Sequence, residues 1–164
     1  MMGATSKRVG LILSVLVLAG SPSAAQKADV FSKIEQTFRT KEPTWKLEKV
    51  LPGQSQNPAR ESIKLRQDTR QALIDVWIWM TAQDAHEMFA GQVIAMDNTR
   101  GTKANKRNLT NLGDESYMWT NPHSEAWPTV NFRKGNVFVS VFAPTVPLAE
   151  RFAHYVLEQV SQTQ

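Results

Sequence analysis

Hydrophobic and polar positions alternate with a period of two in two parts of the chain. In the first part, Ile63 and Leu65 alternate with charged neighbours, and a further alternating run covers residues 74–80. In the second part, residues 130–132 and 137–141 show the same alternation on either side of a short polar turn. A period of two is typical of β-strands that bury one face, so each part predicts a β-hairpin.

The alternation also suggests a pairing register for each hairpin. In the first hairpin we expect Leu65 to lie opposite Ile74, and in the second we expect Phe132 to lie opposite Val137. Both registers place aliphatic side chains together on one face of the sheet.

Three other segments repeat apolar residues at the spacing of an amphipathic α-helix. They cover residues 28–40, residues 82–96 and a segment that begins at Pro147. The apolar side of the first helix consists of Phe31, Ile34 and Phe38.

The order of these elements predicts an α+β fold. We expect a two-layer sandwich with an antiparallel sheet from two hairpin-helix (ββα) units, plus an N-terminal helix. The segments 60–96 and 127–160 correspond in pattern, with Val76 matching Val139. Either an internal repeat or the general similarity of such units explains the match, and side-by-side copies would place both helices on one face.

The N-terminus has the pattern of an export signal. Two cations precede an apolar run at residues 9–19, which small residues follow up to Ala25. This order predicts a signal peptide over residues 1–25, cut after Ala25, and a periplasmic or secreted protein with a single domain at 26–164. An uncleaved membrane anchor is the alternative, although the apolar run is shorter than the roughly 20 residues that span a bilayer.

Composition narrows the classes of partner. The chain has 164 residues, no cysteine and a formal net charge of +4. The predicted signal holds two of the 19 Lys and Arg residues and no acidic residue, which leaves a net charge of +2. We therefore expect no nucleic acid partner, membrane contact only transiently through the signal peptide, and neither a disulfide scaffold nor a thiolate metal site.

Large aromatic side chains concentrate on the sheet face that points away from the aliphatic residues. They are Trp77, Trp79, Trp127, Phe138 and Phe142. The N-terminal helix could cover this face, two subunits could pair through it as a homodimer, or it could form an open groove for an apolar or sugar-like ligand. These five residues are the predicted site for a ligand or partner.

Motifs for catalysis are sparse. His86 begins a metalloprotease-like pattern, but the required second histidine is replaced by Ala90. His123 is the candidate general base, with Asp114 or Glu115 as its partner. Because nucleophile elbows and phosphate-binding glycine loops are absent from the sequence, we assign no catalytic residue, metal or cofactor.

The segment 97–112 lacks periodicity and predicts a long exposed loop with a candidate anion patch. The patch consists of Arg100, Lys103, Lys106 and Arg107. No aromatic residue is interleaved for stacking, which favours a solvated loop over an acidic polymer or lipid headgroup site.

Two short runs in the last third of the chain carry a resemblance. Gly-Asp-Glu-x-Tyr at residues 113–117 and Phe-Arg-Lys-Gly-Asn at residues 132–136 resemble a pattern of small exported bacterial proteins of unknown function. The resemblance implies an export context and transfers no activity or catalytic residue.

The sequence therefore favours an exported, non-catalytic module that binds a partner protein or an envelope ligand. The alternative is a small hydrolase-like enzyme that uses His123 with Asp114 or Glu115. The identity of the ligand and the oligomeric state stay open.

Overall fold

The computed structural model describes residues 24–50, 60–100, 105–121 and 124–162. The predicted signal peptide, residues 1–25, lies outside these ranges except for Ala24 and Ala25, which begin the first helix. Among the helices of the described ranges, none combines the length and the apolar character needed to cross a bilayer.

The described residues form three helices and one seven-stranded sheet. The helices are α1 (Ala24–Lys41), α2 (Ala82–Arg100) and α3 (Val146–Ser161). The strands are β1 (Lys46–Val50), β2 (Arg60–Gln67), β3 (Arg70–Ile78), β4 (Lys106–Asn108), β5 (Glu115–Asn121), β6 (Ser124–Lys134) and β7 (Val137–Phe142). Every neighbouring pair is antiparallel, in the order β1-β2-β3-β7-β6-β5-β4. The predicted α+β class, with two hairpin-helix units and an N-terminal helix, is confirmed.

Both hairpins pair two residues away from the predicted register. Ile63, rather than Leu65, lies opposite Ile74, and the second hairpin is displaced by the same amount. Both turns consist of two residues, and the first residue of each turn, Asp68 or Gly135, has a φ of 53°. A displacement of two keeps every side chain on its predicted face, whereas a displacement of one would have reversed the faces.

Helices α1 and α3 lie side by side on the aliphatic face of the sheet and form the second layer of the sandwich with it. Ile63, Val76 and Val139 on this face have no exposed surface. The rings of Phe38 on α1 and Phe152 on α3 meet edge to face, with 5.1 Å between their centroids. This layer contains the hydrophobic core, so the N-terminal helix covers the aliphatic face and not the aromatic one.

Helix α2 packs on the opposite face, which corrects the expectation that both hairpin helices share one face. The ring of Phe89 on α2 contacts Tyr117 and Phe138, at centroid distances of 5.4 Å and 6.2 Å. Phe138 adjoins Val139 in β7, and consecutive side chains of a strand point to opposite faces. Val76 and Val139, which match in the repeat pattern, lie opposite each other in β3 and β7, but the helices that follow these strands pack on different faces. Because α1 and α3 already cover the aliphatic face, the other face is the one left for α2.

Candidate functional site

The centre of the aromatic face is buried. The rings of Trp77 and Phe138 stack with their centroids 4.9 Å apart, and the guanidinium carbon of Arg60 lies 5.4 Å from the centroid of Trp77. Trp77 is 9% exposed and Phe138 is fully buried, because α2 places Phe89 over this region. In this arrangement Phe138 presents no surface to a partner and Trp77 presents only a small part of its ring.

The other three aromatic residues of the predicted site lie towards the ends of the face. Trp79 is half-buried, and its backbone carbonyl accepts a hydrogen bond of 2.7 Å from the side chain of Asn136. Trp127 is 50% exposed and lines a cavity of about 360 Å³ together with Phe142 and Leu73. The structure thus brings Trp127 and Phe142 together and separates them from the buried pair.

A larger cavity, of about 570 Å³, lies between α2 and the β4–β5 edge of the sheet. We call it the α2 groove. Its apolar wall consists of Phe89, Ala90, Val93, Ile94 and Leu109. Ile94 is 59% exposed, so a large aliphatic side chain borders the groove without being covered. Uncovered apolar surface around a concave site is typical of ligand-binding pockets.

Tyr117 lines the α2 groove and carries a buried polar group. The residue is 1% exposed, and its hydroxyl has no hydrogen-bond partner among the described residues. Burial, together with the negative charge of Asp97, raises the pKa of this hydroxyl well above its usual range. The hydroxyl therefore stays neutral and can both donate and accept a hydrogen bond.

Two polar contacts join α2 to the sheet at opposite ends of the groove. Near the start of α2, Nδ1 of His86 lies 2.8 Å from a carboxylate oxygen of Glu115. Near the end of α2, the ammonium of Lys106 donates to the carboxylate of Asp97 at 3.4 Å. Because each basic group faces a carboxylate, the groove favours a weakly charged or neutral ligand.

Asp114 and Glu115, the carboxylates of the enzyme hypothesis, belong to an ionic network. Arg133 Nε donates to Glu115 at 2.9 Å, and Lys134 Nζ donates to Asp114 at 2.8 Å. Burial by itself would raise the pKa of each carboxyl, but these hydrogen bonds and charges hold both pKa values below their usual range. His123, the proposed general base, lies outside the described residues.

The two runs that carry the resemblance to exported proteins contact each other at this network. The amide of Asp114 donates to the carbonyl of Arg133, and the amide of Gly135 donates to the Asp114 carboxylate, both at 2.8 Å. Gly113 has a φ of 74°, and a Cβ there would collide with the carbonyl oxygen of Arg133. The Asp114 carboxylate thus accepts a hydrogen bond from a backbone amide, and the two runs join β5 to the β6–β7 turn.

The predicted anion patch does not form one surface within the described ranges. Lys106 and Arg107 are consecutive in β4, a strand where the sequence predicts a loop, and therefore point to opposite sides of the sheet. Arg107 pairs with Glu150 on α3, whereas Lys106 pairs across the groove. The Arg100 side chain and Lys103 lie outside the described part of the chain.

The α2 groove could not be predicted from the sequence, because the residues of its walls form no local pattern. His86 and Glu115 are 29 residues apart, and Lys106 lies in a segment without periodicity. One feature of the sequence could have indicated the groove. Ile94 lies outside the apolar stripe of the predicted helix, at a position where a polar residue is expected.

Comparisons with known proteins yield little beyond this geometry. No protein-family model matches the chain, and no curated protein matches it in sequence. Among solved structures, the chain is similar to the extracellular domain of PknH from Mycobacterium tuberculosis, at 13% identity and a TM-score of 0.46, over 78% of this chain and 70% of that chain. At this level of similarity, the match transfers no residue role or activity.

Proposed function

We propose that this protein is an exported binding module that holds an amphipathic small molecule in the α2 groove. The observation that carries the proposal is a cavity of about 570 Å³ that has an apolar wall and is lined by Tyr117, whose buried hydroxyl has no partner among the described residues. A ligand that covers Ile94 and its neighbours would remove apolar surface from water, at about 25 cal/mol for each Å². Export is supported by the predicted signal at residues 1–25 and by the resemblance described above.

The size and lining of the groove indicate the class of ligand. Small-molecule sites commonly enclose about 300–1,000 Å³, with mostly apolar walls and a few polar groups that set orientation. Here the apolar wall accommodates an acyl chain or a small ring system, and Tyr117 provides the orienting polar group. The paired charges at the two ends of the groove do not favour a strongly ionic ligand.

Binding is favoured over catalysis by the state of the two carboxylates. In the hydrolase-like hypothesis His123 is the general base, and one of these carboxylates must be free to accept a hydrogen bond from it. Asp114 already accepts a hydrogen bond from Lys134 and Glu115 accepts one from Arg133, so both carboxylates are engaged by other groups. The hydrolase-like alternative with His123 is therefore the less favoured hypothesis.

A fluorescence titration with the neutral apolar probe N-phenyl-1-naphthylamine tests the groove. Ala90 lines it, so Ala90→Trp fills part of the cavity and should weaken probe binding about tenfold, a change of about 1.4 kcal/mol. The matched control is Ala95→Trp, at an exposed position of the same helix that does not line the groove. We expect the control to bind within about twofold of the wild type. Equal affinities for all three proteins would contradict the proposal.

The cavity beside Trp127 and Phe142 is a second candidate site, as the sequence predicts. It is supported by the half-exposed indole of Trp127 and by the apolar side chain of Leu73 next to it. Trp127→Ala should reduce self-association or partner binding by this surface, as measured by mass in solution, and leave the probe titration unchanged. A Trp127→Ala protein that loses probe affinity would show that the two cavities are not independent.

A further inference from the structure

Three buried side chains beneath α2 leave polar atoms without hydrogen-bond partners. Asn131 has no exposed surface, and Ser140 and Tyr117 are 2% and 1% exposed. Among the residues that the structure describes, no partner exists for the hydroxyls of Ser140 and Tyr117 or for either amide atom of Asn131. An unpartnered buried polar group costs about 1–3 kcal/mol, and native proteins retain few of them. Several such groups together therefore call for an explanation.

The register of the sheet arranges these side chains in one row. Asn131 on β6 lies opposite Ser140 on β7 on one side and opposite Tyr117 on β5 on the other. Neighbouring strands are about 4.8 Å apart, so the row extends over about 10 Å. At the β7 side the row continues to Asp75, whose carboxylate accepts a 2.8 Å hydrogen bond from Arg60. At the β5 side it ends at Tyr117, which lines the α2 groove. The Asp75 carboxylate at one end of the row therefore has a hydrogen-bond partner, whereas the polar side-chain atoms from Ser140 to Tyr117 have none among the described residues.

The ring of Phe89 borders this row. It contacts Tyr117, which belongs to the row, and Phe138, which lies two residues from Ser140 in β7. Phe89 is itself half-buried and belongs to the wall of the groove. Among the α2 side chains that the structure describes, Ala85 alone is fully buried. Moving the Phe89 ring would therefore disturb less packing than moving a ring of the α1/α3 layer.

We propose that the groove ligand carries a neutral hydrogen-bonding head group, a hydroxyl or an amide, that displaces the Phe89 ring and bonds to Asn131, Ser140 and Tyr117. The inference rests on the proposed function and specifies the class of ligand. The amide of Asn131 and the two hydroxyls can both donate and accept, so a head group that does the same complements them best.

A carboxylate head group fits this row less well. It accepts hydrogen bonds but donates none, so it cannot satisfy the Asn131 carbonyl. It would also need a cation, whereas Lys106 and Arg133 near the groove already pair with Asp97 and Glu115. Burial of a charge without a new counter-ion is costly.

Displacement of N-phenyl-1-naphthylamine by three ligands of equal chain length tests the head group. We expect 1-decanol and decanamide to bind the wild type at least about tenfold more tightly than decanoate at pH 7. Asn131→Leu keeps the number and branching of the side-chain heavy atoms, and Ser140→Ala removes only a hydroxyl. The probe affinity of each variant is measured directly and used to calculate the displacement constants, and both variants should lose most of the preference for the neutral head groups. Retention of the full preference in both variants would overturn the proposal.

Thermal unfolding of the ligand-free proteins separates a ligand role from a structural one. If the Asn131 amide is unpartnered, Asn131→Leu raises the midpoint of unfolding, because an apolar side chain suits a buried site better. A lowered midpoint in both Asn131→Leu and Ser140→Ala would show that these groups are already satisfied in the free protein, and would overturn the proposal. Failure of the wild type to bind the probe would instead contradict the proposed function itself.

Discussion

On the α1/α3 face of the sheet, aliphatic side chains such as Ile74 and Val141 are fully buried. On the α2 face, a stacked aromatic pair and a row of polar side chains lie beneath a helix that leaves a cavity beside it. The first face is packed with apolar side chains that exclude water, so its contribution is to stability. The second face has space and unsatisfied hydrogen-bonding groups, which is what a binding site requires. One face of the sheet is thus closely packed, whereas the other leaves space for the proposed ligand.

The two helices that follow the hairpins show the same difference. Helix α3 buries five side chains, namely Ala149, Phe152, Ala153, Val156 and Val160. In α2, the described side chains other than Ala85 are half-buried or exposed. Equivalent positions in the sequence pattern therefore do not imply equivalent packing.

The largest difference in stability between the two faces is expected when one aromatic ring is removed from each. Phe152 is fully buried among Phe38, Trp45 and Tyr155, so Phe152→Ala should cost about 3–5 kcal/mol of unfolding free energy. Phe89 is half-buried, so Phe89→Ala should cost only about 1.5 kcal/mol. Urea denaturation of both variants measures the difference. Equal losses would show that α2 is as firmly packed as α3.

A smaller effect is expected from the carboxylates beside the groove. Hydrogen bonds from Lys134, Gly135, His86 and Arg133 lower the pKa values of Asp114 and Glu115 despite their partial burial. A lowered pKa in the folded state contributes stability above the usual carboxyl range, and this stability is lost as the pH falls through the lowered values.

The double variant Asp114→Asn and Glu115→Gln isolates this contribution. It should lose about 1 kcal/mol at pH 7 and show a flatter decline of the urea midpoint between about pH 5 and pH 3. An unchanged decline would mean that the network contributes nothing to acid sensitivity.

The smallest change in stability is expected from an alanine substitution at Gly91. The same substitution at Gly113 serves as the contrast, because the surroundings of the two glycines differ. A methyl group added at Gly91 in α2 would meet no described atom within 4 Å outside its own stretch of helix, so Gly91→Ala should stabilise the protein by about 0.5–1 kcal/mol. Gly113, at a φ of 74° beside the Arg133 carbonyl, should not tolerate the same change. Thermal midpoints of the two single variants test this. A Gly91→Ala protein with a lowered midpoint would indicate that α2 is packed more tightly than its exposure suggests.

Much of the fold could be predicted from the sequence, because local patterns report local geometry. Alternation places Ile63 and Val139 on one face and Trp77 and Phe138 on the other, as the structure has them. The predicted register is wrong by two residues, because alternation defines the face of a residue but not its partner. Strand β4 has no signal in the sequence, because three residues are too few to show a period.

The candidate site could be predicted only in part. Trp127 and Phe142 do line a cavity, since both belong to the face that alternation identifies. The burial of Trp77 and the existence of the α2 groove depend on where α2 lies, and no pattern within residues 82–100 specifies a face of the sheet.

The sequence by itself determined which side chains share a face, because consecutive side chains of a strand point in opposite directions in any fold. Only the tertiary structure decided which helix covers each face and where a cavity is left. That choice depends on contacts between residues that are distant in the chain, such as His86 with Glu115 and Phe89 with Phe138. A local sequence pattern does not report the energies of these contacts.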